Sequence, residues 1–172
     1  MISHGKKQLI EILEIADINI LISIKELTSE DVTKKIKLDI NSIEKIFNHC
    51  LRQMDKYLAK STQERKSIAD LTFGDSVEIY LEVSESFLEL VRNIPEDDYS
   101  KPIDKGEKLV TIIQRISLHF MGHLGQIYLI RRFLGKEISS IYSFVLALSE
   151  GSRRKLRKEW ESWWNSEKHR FL

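Results

Sequence analysis

The sequence predicts an all-α protein: an antiparallel four-helix bundle with an additional C-terminal helical extension. Three observations carry that reading. Neither Gly nor Pro occurs between Lys6 and Phe73, and a stretch that long without the strongest chain punctuators does not suit short strands joined by tight turns. Apolar residues recur with the helical period of 3.6 in four long segments. Three of those segments open on an acceptor side chain followed three residues later by Glu, the signature of a capped helix start.

The first helix is expected from about Lys6 to Leu27, with a wide apolar stripe that suits packing on more than one neighbour. The second, about Ser42 to Leu58, opens on Asn41-Ser-Ile-Glu44 and carries Ile43, Ile46, Phe47, Cys50, Leu51 and Met54. The third, about Ser76 to Ile94, opens on Asp75-Ser-Val-Glu78 and carries Val77, Tyr80, Val83, Phe87, Leu88 and Val91, with Glu78, Glu82, Glu85 and Glu89 on the other side. The fourth, about Lys105 to Leu134, opens on Asp104-Lys-Gly-Glu107. Both prolines, Pro95 and Pro102, fall in the connection before it. Beyond Gly135 come a short apolar piece, Ile138 to Leu148, and a last helix from about Ser152 to Lys168 with Trp160, Trp163 and Trp164 at helical spacing. Residues 1–135 thus form the bundle, and residues 136–172 an extension that packs on it or on a dimer mate.

The chain has 172 residues, 42% apolar and 31% charged, which suits one globular domain and is too apolar for a disordered chain. A net charge of +1 gives no global argument for a nucleic-acid partner. The only cysteine, Cys50, excludes a disulfide framework and a multi-cysteine zinc site. The most apolar early run, Leu9 to Ile24, contains Glu11, Glu14 and Asp17, so it makes a poor membrane span. No basic–apolar–small leader pattern precedes it, and a cytoplasmic location is the default expectation.

The chemistry-bearing residues are histidines. His119 and His123 stand at i and i+4, one above the other on one helix face, flanking the apolar stripe of the fourth helix. Such a pair supplies two ligands for a divalent ion, and a third imidazole from a facing helix leaves coordination positions open, as catalytic sites do. HxxxH also arises by chance among helical sequences, so the spacing alone leaves a structural reading open. His49 lies roughly 130° from the centre of its helix's apolar stripe, an angle that by itself favours an exposed side chain.

The segment Ile36 to Leu58, with Asn41-Ser-Ile-Glu-Lys-Ile-Phe-Asn-His49, resembles the second-helix segment of the DinB-like (YfiT-like) superfamily. The run His119-Phe-Met-Gly-His123-Leu-Gly-Gln126-Ile-Tyr-Leu-Ile-Arg131-Arg132 resembles that family's fourth-helix motif. Glu26-Leu-Thr-Ser-Glu-Asp31 is similar to the segment closing its first helix. The similarity covers about residues 6–135. It implies a four-helix bundle with a long crossover in which His49, His119 and His123 bind one Zn²⁺ or Ni²⁺, and for His49 it outweighs the wheel angle. It further implies a small-molecule substrate, with a thiol-dependent S-transferase or a hydrolase as the activity, a low-molecular-weight thiol as possible co-substrate, and a homodimer. No carboxylate stands in a metal-site motif as a general base, which mildly favours thiol transfer. The alternative is a non-enzymatic dimeric bundle, a stress or ligand-binding protein with a vestigial metal site.

Other residues admit two readings each. Gly122 and Gly125, costly inside a helix, either permit close helix packing or open room for a ligand. Gln126, three residues after His123, can hydrogen-bond a ligating ring's second nitrogen or face solvent. Arg131 and Arg132 can bind an anionic group in a ligand pocket or join surface ion pairs. Cys50 reads as a buried thiol, and His4 and His169 as terminal, solvated residues. The Trp stripe with Arg153, Arg154, Lys155, Arg157 and Lys158 invites a nucleic-acid or membrane-surface reading. Glu159, Glu161 and Glu167 interrupt that basic face, which favours packing against the bundle or a dimer mate.

Overall fold

The computed structural model describes residues 4–36, 40–62, 71–104, 106–136, 145 and 147–171. The chain is mostly helical. Its elements are α1 (His4–Ile24), the short α2 (Ser29–Thr33), α3 (Ile43–Thr62), α4 (Phe73–Asn93), a 3-10 turn (Glu96–Ser100), β1 (Pro102–Asp104), β2 (Glu107–Lys108), α5 (Leu109–Phe133) and α6 (Glu150–Glu167). The apolar piece expected at Ile138 to Leu148 lies, for the most part, outside the described residues. No helix among the described residues is long and apolar enough to cross a membrane.

Several helix boundaries differ from the expected ones for local chemical reasons. α1 stops at Ile24 without a glycine, and Glu26 takes a left-handed backbone (φ 64°), which costs a non-glycine residue roughly 1–2 kcal/mol. The chain turns there into α2, whose Thr28 and Asp31 satisfy each other's backbone N–H groups reciprocally. Ser42, one residue after the expected Asn41, caps α3 by accepting from Lys45 N. α4 begins earlier than expected because Thr72 and Asp75, rather than Asp75 and Glu78, form its capping box. The expected cap at Asp104 is also overturned. Gly106 adopts φ 84°, a conformation natural to glycine. The chain therefore makes a two-stranded antiparallel hairpin there, and α5 starts only at Leu109.

α1 packs on α5, α4 and α6, and α3 packs on α4 and α5. Specific contacts set the directions. Lys6 Nζ, at the start of α1, donates to the carbonyls of Arg92 and Ile94 at the end of α4, at 2.8 and 2.6 Å. Arg131 near the end of α5 reaches the end of α1. Phe47 near the start of α3 packs on Phe73 and Tyr80 near the start of α4. Tyr57, late in α3, accepts from Arg115, early in α5. So α1 and α5 run one way, α3 and α4 the other. The core between them holds Leu13, Ile20, Phe47, Leu51, Met54, Tyr80, Phe87, Ile113 and Phe120, all buried.

α6 lies on α1 and α4. Trp160 and Trp164 are buried and stacked, with ring centroids 5.9 Å apart, and Trp163 is partly covered. Trp164 Nε1 donates to Glu78 at 2.6 Å. Arg153 binds Glu14 at 3.0 Å and Glu11 at 2.9 Å, while Arg157 pairs with Asp17 and donates to Ser84 at 2.8 Å. Two of the basic residues that suggested a nucleic-acid face are therefore buried in ion pairs within the chain. The acids that made α1 a poor membrane span are their partners.

Candidate metal centre

His49 is carried by α3, His119 and His123 by α5, and the antiparallel packing of those two helices brings all three rings together. His119 Nε2 lies 2.8 Å from His49 Nε2 and 3.0 Å from His123 Nε2. One ligand atom from each ring falls within 4.8 Å of the others. His49 is partly buried rather than exposed, which corrects the bare wheel angle. The apolar stripe of α3 points to the core, whereas the histidine sits on its flank where α5 passes. A stripe centre does not register that second neighbour.

Hydrogen bonding among the three rings does not account for the convergence. His123 Nδ1–H donates to Gln126 Oε1 at 2.8 Å, so in the neutral ring Nε2 of His123 carries a lone pair. His119 Nε2 has a single proton or a single lone pair for two close nitrogens, so at most one of its contacts is a linear hydrogen bond. A shared cation resolves this. Two nitrogens each about 2.1 Å from one ion stand roughly 3.0 Å apart at a 90° bond angle and roughly 3.4 Å apart at the tetrahedral angle. The observed separations of 2.8 and 3.0 Å suit the former. The donor set fits a divalent ion that favours imidazole nitrogen, such as Zn²⁺ or Ni²⁺.

The electrostatics favour the ligating form of the rings. Partial burial pushes the His49 imidazole below its usual pKa, helped by the charges of His123 and Arg52. Burial does the same for His119, with His123, His49 and Arg115 adding to it. Both rings are neutral at pH 7, as binding requires.

Around the rings, one groove is lined by Asn41, Lys45, Asn48, Arg52, His49 and His123. Another, on the α5 side, is lined by Gln114, Arg115, Leu118 and His119. Lys45, Asn48, Arg52 and Arg115 were not singled out in the sequence. The first three share the His49 face at helical spacing, which is the signal that could have found them.

The remaining candidates separate. Gln126 meets His123 as the spacing allows. Gly122 and Gly125 are exposed, and a Cβ at either would meet nothing within 4 Å. The close-packing reading of these glycines is thereby corrected, and neither glycine lines the two grooves beside the histidines. Arg131 lines neither groove. It is buried, and Nη1 donates to the carbonyls of Ser23 at 3.1 Å and Lys25 at 2.9 Å, closing the end of α1 roughly 12 Å along the helix from His123. Cys50 is buried and its thiol is pushed up to about 12 by burial, which makes it inert. Compared with protein-family models, curated proteins and solved structures, the chain matches none.

Gln126→Ala removes the acceptor that holds the His123 ring, and metal affinity should fall about 10- to 100-fold. Titration against a chelating dye reads this directly, with helical content unchanged.

Proposed function

We propose that the chain is a divalent-metal enzyme of the DinB-like kind. His49, His119 and His123 hold one Zn²⁺ or Ni²⁺ in an antiparallel four-helix bundle formed by α1, α3, α4 and α5. The observation that carries this reading is the meeting of three imidazole nitrogens, 2.8 and 3.0 Å apart, at the mouth of an open groove. A divalent ion so held supplies Lewis-acid chemistry, lowering the pKa of a coordinated water or thiol toward neutrality.

The chain's own residues do the rest. Gln126 fixes the tautomer and orientation of His123. Arg52 and Arg115 disfavour protonation of His49 and His119. Among the described residues no carboxylate lines either groove beside the rings. A reaction that needs a strong general base is thus less well served than transfer to a thiol, which is nucleophilic once deprotonated. Thiol-dependent S-transfer is accordingly favoured over hydrolysis. In the homodimer that goes with this reading, a mate would meet the exposed Leu118, Leu129 and Phe133 of α5, because the chain's own α1 and α4 already cover the Trp stripe of α6.

The test is the pH dependence of bound metal. The His49 and His119 pKa values are depressed from 6.5, so both rings stay neutral above that value. Protons displace the ion only as pH falls through the lowered values. Metal should be retained at pH 7–8 and released on acidification through roughly pH 6 to 4, while far-ultraviolet circular dichroism stays helical. Metal that persists at pH 4, or a fold that collapses in step with release, contradicts a three-histidine catalytic site.

A further inference from the structure

We propose that the α3 side of the metal centre is a subsite for an oxyanion, a carboxylate or phosphate group carried by the small-molecule substrate. Lys45 and Arg52 bind that group while the rest of the substrate reaches the ion. The inference rests on the metal-site reading and adds the substrate's charge and its direction of approach.

Lys45, Asn48, His49 and Arg52 stand at i, i+3, i+4 and i+7 on α3 and line one groove, with His123 on its far wall. The lining holds two cations, two amides, two imidazoles and the apolar Ile46, with no acid among the described residues. Lys45 and Arg52 are exposed, and no carboxylate of the described residues lies within ion-pair distance of either.

The opposite groove differs in this respect. Its cation, Arg115, is already held by Glu107 at 2.5 Å and donates to Tyr57. Elsewhere Arg92 is paired with Glu14, Arg153 with Glu11 and Glu14, and Arg157 with Asp17, while Arg131 is taken up by the carbonyls at the end of α1. Among the described residues, positive charge beside the histidines without a carboxylate partner therefore collects on the α3 side.

Two further effects add to it. Lys45 is in the first turn of α3, whose N-terminal end carries the positive pole of the helix dipole. A divalent ion on three neutral imidazoles brings two positive charges with no ligand charge to offset them. Arg52 also offers a planar fork of donors that matches a carboxylate or phosphate edge. A substrate with an oxyanion roughly one helical turn from its reactive group would satisfy both ends at once.

The experiment uses the full-length chain, metal-loaded and metal-free, titrated calorimetrically with inorganic phosphate and separately with malonate, in wild type and in the Lys45→Gln/Arg52→Gln double variant. Both substitutions are on exposed side chains, and circular dichroism checks that the fold persists. The metal-loaded wild type should bind one of the two anions at least about tenfold more tightly than the double variant, with metal stoichiometry equal in both. Which anion binds tells phosphate from carboxylate chemistry. Anion binding that is equal in the two proteins, or absent from wild type in both metal states, overturns the subsite. Failure of the metal reading shows separately, as protein that takes up no ion; the metal-free titration then still decides whether Lys45 and Arg52 bind the anion.

Discussion

Replacing His119 with alanine should remove bound metal, taking the protein from about one ion per chain to less than about 0.1 after loading and dialysis at pH 7.5. His119 is the ring common to both close contacts, 2.8 Å to His49 and 3.0 Å to His123. Without it, two imidazoles from different helices remain. The partly buried ring contributes little to the core, so the unliganded variant should unfold within about 1 kcal/mol of the unliganded wild type. The difference between them appears when metal is added. An ion at 100 times its dissociation constant stabilises the wild type by about 2.7 kcal/mol and leaves the variant unmoved. Thermal unfolding with and without zinc separates these cases. A variant that fails to fold would assign His119 to the structure of the bundle instead.

The second large effect concerns α6. Arg157→Leu should destabilise the chain by about 3–5 kcal/mol, because it leaves the Asp17 carboxylate buried without its cation. Asp17 is 1% exposed, and one of its oxygens already lacks a hydrogen-bond partner. Burial pushes its carboxyl above the usual 3.8, against the pull of Arg157. With that pull gone the folded-state value rises further above the unfolded one. The sign follows: protonated Asp17 is tolerated in the fold, so the loss is smallest below about pH 4 and grows as pH rises through the raised value. Urea unfolding at pH 4.5 and 7.5 reads this. The Asp17→Asn/Arg157→Leu double variant, which removes the charge as well, should recover more than half of the loss at pH 7.5. A loss independent of pH, or no recovery in the double variant, would mean that Arg157 acts by packing alone.

The helices were legible because each has a long apolar stripe and few interruptions. Their ends were less so, since they depend on single side chains. Glu26 turns left-handed where no glycine announces it, and Gly106 diverts the chain into a hairpin just where an acceptor–Glu pair imitates a cap. The burial of Glu14 and Asp17 could not be read locally, because their cations Arg153 and Arg157 lie 139 and 140 residues away in sequence. The same holds for Arg131. Its basic neighbour Arg132 is exposed, and only tertiary contact shows that Arg131 turns inward to the carbonyls of α1. At the histidine cluster, spacing supplied His119 and His123, whereas His49 had to come from resemblance. Its position on the flank of α3 carries no periodic signal, and the meeting with α5 is a property of the packed pair.

The most direct test of the central claim is the metal content and coordination of the purified full-length chain, loaded with Zn²⁺ or Ni²⁺ at pH 7.5 and measured by elemental analysis and X-ray absorption. One ion per chain is expected, with three imidazole nitrogens at about 2.0–2.1 Å. A chain that takes up neither ion, or holds one through oxygen or sulfur without imidazole, contradicts that claim.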